Sequence, residues 1–173
     1  MKLKCDDCGR EHDPLELEPS FLRPDEASLL SSGERHDRVT ETKNSCVLTF
    51  PGRGLQKHFL RVLLPVPVVD LDATCCWGIW VSLSARSFEA MKERWQDPMR
   101  MNRQPVPAQL ANNVRNYPRL VGVPGLIGFR NFTEIPYFSF RENENHVLAG
   151  EARTGVSSAR VLDWLKPWLH GGA

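Results

Sequence analysis

The stretch Cys75-Cys76-Trp77-Gly78-Ile79-Trp80-Val81-Ser82-Leu83-Ser84 admits few folds. A strand turns successive side chains to opposite faces, so Trp77, Ile79, Val81 and Leu83 share one face and Cys76, Gly78, Trp80 and Ser82 the other. The first face is apolar throughout and predicts core. Ser84 is placed to cap a following helix, in which Phe88, Met91 and Trp95 keep the i, i+3, i+7 spacing of one buried stripe. This is a strand feeding a helix that packs back on its sheet. Trp80 stands beside Gly78 on the second face, where it either lines a groove or lies under an amphipathic last helix.

The flanking segments extend the same pattern. Cys46-Val47-Leu48-Thr49-Phe50 and His58 to Leu64 are β-rich runs around Pro51-Gly52-Arg53-Gly54, which predicts a hairpin. Pro65 and Pro67 mark a strand rim or an edge, because proline cannot donate to a ladder. Further on, the runs Leu120–Val123, Leu126–Phe132 and Ile135–Phe140 suggest an antiparallel meander. They are broken by Pro124-Gly125 and by Thr133-Glu134.

The helical signals are local. Leu15-Glu16-Leu17 is a short alternating stretch, and Pro24 opens a short helix through Leu30. Ser31 with Glu34 has capping-box spacing for a charged helix toward Val39. Residues 97 to 107 read as a loop, Gln109 to Val114 as a short helix, and Val161, Leu162, Trp164 and Leu165 as a final amphipathic helix stopped near Pro167. The expected fold class is α+β: a mainly antiparallel sheet with helices on one face and an N-terminal zinc-knuckle-like turn. Residues 1–173 form a single domain, with 1–19 a cysteine-bearing segment packed on the same core.

Composition narrows the function classes. The chain of 173 residues carries 22 Lys and Arg against 21 Asp and Glu, a net charge of +1. Nucleic-acid binders draw most of their affinity from a basic excess, so nucleic acid is an unfavoured partner. No run reaches the length of a membrane span, and Met1-Lys2-Leu3-Lys4 enters Cys5 without an apolar leader. The expectation is a soluble, cytoplasmic protein whose five cysteines are thiols or ligands rather than disulfides.

Chemistry concentrates at Cys5-Asp6-Asp7-Cys8-Gly9. Two thiolates separated by two residues can point at one ion, and a glycine after the second relaxes the turn. His12 is a third donor. A closed tetrahedral zinc site needs a fourth, for which His146 is the first candidate, Cys46 the alternative, and His36 and His58 less well placed. A redox dithiol would follow a strand and open a helix, and Asp6 and Asp7, lying between the two thiols, disfavour their thiolates. Cys46 is read as a packing residue, or as a nucleophile if His58 lies within reach. Cys75 and Cys76 point to opposite faces and are read as packing residues.

Cys5-x-x-Cys8-Gly9-x-x-His12, the Cys46 strand, His58-Phe59-Leu60-Arg61 leading to Pro65-Val66-Pro67-Val68, the Trp77 to Ser84 stretch with Phe88 after it, and His146-Val147-Leu148-Ala149 before Gly155-Val156-Ser157 resemble, in order, the bacterial domain of unknown function 2199 family. The resemblance implies one bacterial domain with the cysteine motif, Cys46 and His146 inside its pattern, and it brings no activity. The family pattern has proline where this chain has Val147, and an acid-amide pair where it has Glu151-Ala152. Both departures weaken a catalytic role for the His146 region. The function expected is a non-enzymatic, metal-stabilised binding or regulatory module with a protein or small-molecule partner. The alternative is a small hydrolase or transferase with an open zinc site.

Overall fold

A computed structural model describes residues 2–13, 15, 18–52, 54–97, 99, 102–130 and 135–169. Strands β1 (Leu3–Lys4) and β2 (Glu11–His12) form a small antiparallel hairpin. Helices α1 (Asp25–Ser28) and α2 (Ser32–Arg38) follow, and β3 (Val39–Glu41), β4 (Ser45–Phe50), β5 (Leu55–Val68) and β6 (Ala73–Leu83) form a meander. Helix α3 (Ala85–Gln96) leads to β7 (Val106–Leu110), β8 (Pro124–Gly128) and β9 (Tyr137–Phe140), before α4 (Val147–Thr154) and α5 (Ser158–Leu169).

The fold is α+β, but the sheet does not stay open. Its seven strands run in sequence order, and β9 returns to β5 through a parallel pairing of Leu63 with Tyr137. Strands β5 to β9 therefore close on one another, with β3 and β4 running on from β5. The backbone groups of Arg61, Leu63 and Pro67 in β5 bond to Asn44, Pro136 and Val156, away from β6. Pro65 shares that direction, so neither proline removes a bond from the long β5–β6 ladder. Pro65 lies within the continuous strand, and Pro67 is its penultimate residue.

Both faces of β6 need cover, and each has its own. Trp77, Ile79 and Val81 are buried with residues from β5 to β9 and with Phe88, Met91, Leu148, Val161, Trp164 and Leu165 of α3, α4 and α5. Trp80 is buried on the other face with Ala27 of α1, Cys46, Leu48, Phe59 and Ala111. The expectation of helices on one face is thus corrected: an apolar residue on each side of the strand calls for a helix on each side. Trp80 lines no groove, and the last helix packs instead on the Trp77 face, where Trp164 and Trp168 meet Trp77 edge-on at 5.3 and 5.8 Å.

Several local expectations hold, and others give way to long-range pairing. Ser31 and Glu34 make the full capping box of α2, and Ser84 caps α3 by accepting the Ser87 N–H at 3.1 Å. The segment read as a helix from Gln109 to Val114 is not helical: Gln109 and Leu110 end β7, whose Val106, Ala108 and Leu110 alternate inward, and 111–114 are irregular. Residues 120–123 are not strand; β8 begins at Pro124, inside the expected break, and shares only 126–128 with the second run, whereas β9 lies within the third. Glu16, Leu17, Arg53 and residues 131–134 lie outside the described residues, and with them part of the Leu15 stretch and the Thr133-Glu134 break. Helix α5 runs through Pro167 to Leu169. Proline disturbs the turn before it, but Trp164 and Trp168 on either side are both held by Trp77.

Candidate metal centre

The Cys5 to Arg10 turn joins β1 to β2. The Cys5 N–H donates to the Arg10 carbonyl and the Gly9 N–H to the Cys5 carbonyl, both at 2.8 Å. Gly9 has φ +69°, a conformation that favours glycine. His12 stands on β2 opposite Leu3. The hairpin thereby folds its third donor back onto the turn that carries the first two.

Cys5, Cys8 and His12 offer ligand atoms that all lie within 4.8 Å of one another. The Cys8 Sγ to His12 Nε2 distance is 3.2 Å. A tetrahedron built on Zn–S of about 2.3 Å and Zn–N of about 2.0–2.1 Å has an S···N edge of about 3.5 Å, so this edge is close to that size. Two thiols and an imidazole are also the donor types that zinc prefers. Cys5 is fully buried and Cys8 exposed, so an ion here would sit at the surface with one ligand anchored in the core. Asp7 reaches Lys166 of α5 at 3.8 Å.

Neither of the other predicted donors joins the group among the described residues. His146 caps α4: its Nδ1 accepts the Leu148 N–H at 3.1 Å, while Nε2 lies 3.2 Å from the Pro118 carbonyl. Those partners assign the Nε2–H tautomer and occupy both ring nitrogens. Cys46 is buried on β4 opposite Phe59, its thiol pushed up to about 11 by burial and then by Glu41. His58 faces the other way, opposite Val47, with its ring 5.0 Å from Phe88. A Cys46–His58 nucleophile pair is therefore ruled out by strand alternation. Cys75 is buried in the core, and burial pushes its thiol up to about 12.

A family model described as an uncharacterized protein conserved in bacteria (DUF2199) matches residues 4–156. The chain belongs to this family. No curated protein and no solved structure matches it. The DUF2199 match takes in the three clustered donors, Cys46 and His146, and ends before α5. No helix among the described residues is long and apolar enough to cross a membrane.

Two polar groups of structural weight were not singled out from the sequence. Asn112, fully buried, accepts the Trp80 N–H through Oδ1 and donates through Nδ2 to the Arg23 carbonyl and to Asp25. Tyr117 donates to Glu151 and accepts from the Trp164 indole, and Arg160 binds Glu151 at 3.2 Å. Period-two alternation through Val106, Ala108 and Leu110 signals that Asn112 follows a strand. Nothing local signals the Tyr117 group, whose members come from a loop and two helices.

Proposed function

We propose that this DUF2199 protein is a non-enzymatic binding module whose N-terminal hairpin is pinned by one zinc ion on Cys5, Cys8 and His12. The gathering of those three donor atoms within 4.8 Å carries the reading. A hairpin of two residue pairs has little to hold it together alone, and a bound ion offsets the chain entropy of closing it. Cys5 is fully buried, so an ion on these donors would be anchored away from solvent on one side, which supports a structural role.

An open zinc site that activates water is the second reading, favoured by the count of three clustered donors. Metal analysis of the purified protein separates the outcomes. One zinc per chain is expected, lost in the Cys5→Ser, Cys8→Ser double variant, with faster hydrogen exchange over residues 2–13 and an otherwise protected core. Full zinc retention in that variant would sink the assignment. X-ray absorption showing solvent in an exchangeable fourth position, together with hydrolysis of model esters lost on chelation, would favour the second reading.

A further inference from the structure

The cavity of about 630 Å³ lies where β5, β6 and β7 run out. Phe59, Ser82 and Gln109, which line it, are cross-strand neighbours on those three strands. The N-terminus of α3 contributes Ser84 and Ser87, and α1 contributes Asp25 and Glu26. The volume falls in the range of about 300–1,000 Å³ typical of small-molecule sites.

The charges around it are not all balanced. Glu26 and Lys57 pair at 2.7 Å and neutralise each other. Among the described residues Asp25 is bonded only to uncharged donors: Nδ2 of Asn112 at 2.9 Å, and the backbone N–H and Nδ2 of Asn113 at 2.8 and 3.0 Å. Its negative charge is held in place but not neutralised. Arg141 is exposed and has no carboxylate partner among the described residues, so its positive charge also stands alone. The cleft therefore presents one uncompensated charge of each sign beside an apolar surface of Pro107, Val121 and Pro124.

We propose that this cleft binds a small zwitterion of the amino-acid type, with its carboxylate toward Arg141, its ammonium toward Asp25 and its apolar body against Pro107 and Pro124. A phosphate dianion would face both Asp25 and Glu26 with a single unpaired cation to hold it. A simple cation would meet Arg141. Only a ligand carrying both charges matches both residues. The proposal names the ligand class of the binding module and rests on that reading, though not on the zinc.

Titration of the ¹⁵N-labelled full chain tests it, with glycine, L-leucine, L-phenylalanine and glycyl-L-leucine as probes. At least one probe is expected to give saturable shifts at the amides of Ser82, Ser87 and Gln109. Its C-terminal amide and its N-acetyl derivative, each lacking one charge, are expected to bind about tenfold more weakly. Arg141→Gln should abolish the preference for the free carboxylate while leaving the fold unchanged. Flat titrations with all four probes, or derivatives that bind as well as the parent, would overturn the proposal. Repeating the titration in the Cys5→Ser, Cys8→Ser variant separates the two readings. In the wild-type chain, a missing zinc with saturable shifts defeats only the metal, and bound zinc with flat titrations defeats only the cleft.

Discussion

Replacing Asn112 tests whether one side chain stands in for a missing strand partner. The outward edge of β6 is paired in three pieces. Gly78 bonds to Pro19 and Phe21, Val81 and Ser82 face β7, and between them Trp80 gives its carbonyl to the Ala111 N–H and its N–H to the Asn112 side chain. Asn112→Ala leaves the Trp80 N–H buried without an acceptor, at a cost of about 1–3 kcal/mol. It also removes the 2.8 Å bond to the Arg23 carbonyl and the 2.9 Å bond to the Asp25 carboxylate. A neutral bond contributes about 0.5–1.5 kcal/mol and a bond to a charged group about 1.5–3 kcal/mol. The contributions overlap, so the expected loss is about 3–5 kcal/mol, or roughly 6–20 °C in Tm for a chain of this size.

Asn112→Asp sharpens the test. The shape is kept and the Trp80 acceptor survives, but a second carboxyl then faces Asp25 and the Arg23 carbonyl. Two carboxyls in that position share a proton, so the folded pKa of the pair is raised. Stability carried by a raised pKa is present below the unfolded value near 4 and is lost as pH rises through the folded one. This variant should therefore be closer to wild type at pH 4 than at pH 7. Urea unfolding at both values, with an unchanged m-value, measures it. A cost under about 1 kcal/mol for Asn112→Ala, or no pH dependence for Asn112→Asp, would refute the reasoning.

Three further outcomes are expected. Asp70 reaches across 88 residues to bind the N–H and hydroxyl of Ser158 at 2.8 and 2.7 Å, and the hydroxyl is the main reason its carboxyl lies below the ordinary value. Its stabilisation of α5 is complete above about pH 4 and falls away as pH drops through the folded value. Asp70→Asn should thus weaken the acid-dependent change in fluorescence of Trp164 and Trp168; an identical acid transition would disprove it. Gly78→Ala would place a Cβ 2.8 Å from the Ser20 Cβ and 2.9 Å from the Arg61 guanidinium. A loss of about 1–3 kcal/mol is expected, and a Tm equal to wild type would mean that Ser20 moves freely. In chelator, exposed Cys8 should alkylate in the native protein while Cys46 and Cys75 label only on unfolding. Labelling of Cys46 at the rate of Cys8 would overturn its packing role.

Features set by neighbours in sequence were legible; those set by distant partners were not. The alternation of Trp77 to Leu83 is an in-strand property and survives intact, as do the caps at Ser31 and Ser84, which depend on residues three positions away. The metal group is legible for the same reason, because Cys5, Cys8 and His12 lie within one hairpin. Its proposed fourth donors are far away in sequence, and each meets a competing partner: backbone groups for His146, apolar side chains for Cys46. Sheet closure depends on Leu63 meeting Tyr137, and helix α4 on His146 capping its first turn. Gly78 does leave space, as its position beside Trp80 suggests, but Ser20 and Arg61 fill it.

The segment between the hairpin and the cleft decides whether the two sites act on each other. It leaves β2, crosses β6 at Ser20 and enters α1, whose Asp25 and Glu26 line the cleft. Loss of an ion from Cys5 and Cys8 would disturb the cleft only if that segment transmitted the change. It is anchored several times over along the way. Pro19 and Phe21 bond to Gly78, the Trp80 indole N–H donates to the Phe21 carbonyl at 3.0 Å, Arg23 forks onto Glu41, and Asn112 holds the Arg23 carbonyl. Unfolding that began at the hairpin would have to break each of these in turn, and the Trp80 anchor is buried in the core. Local opening follows the weakest contiguous unit, so disorder from loss of the proposed ion should stop before Ser20 and leave Asp25 in place.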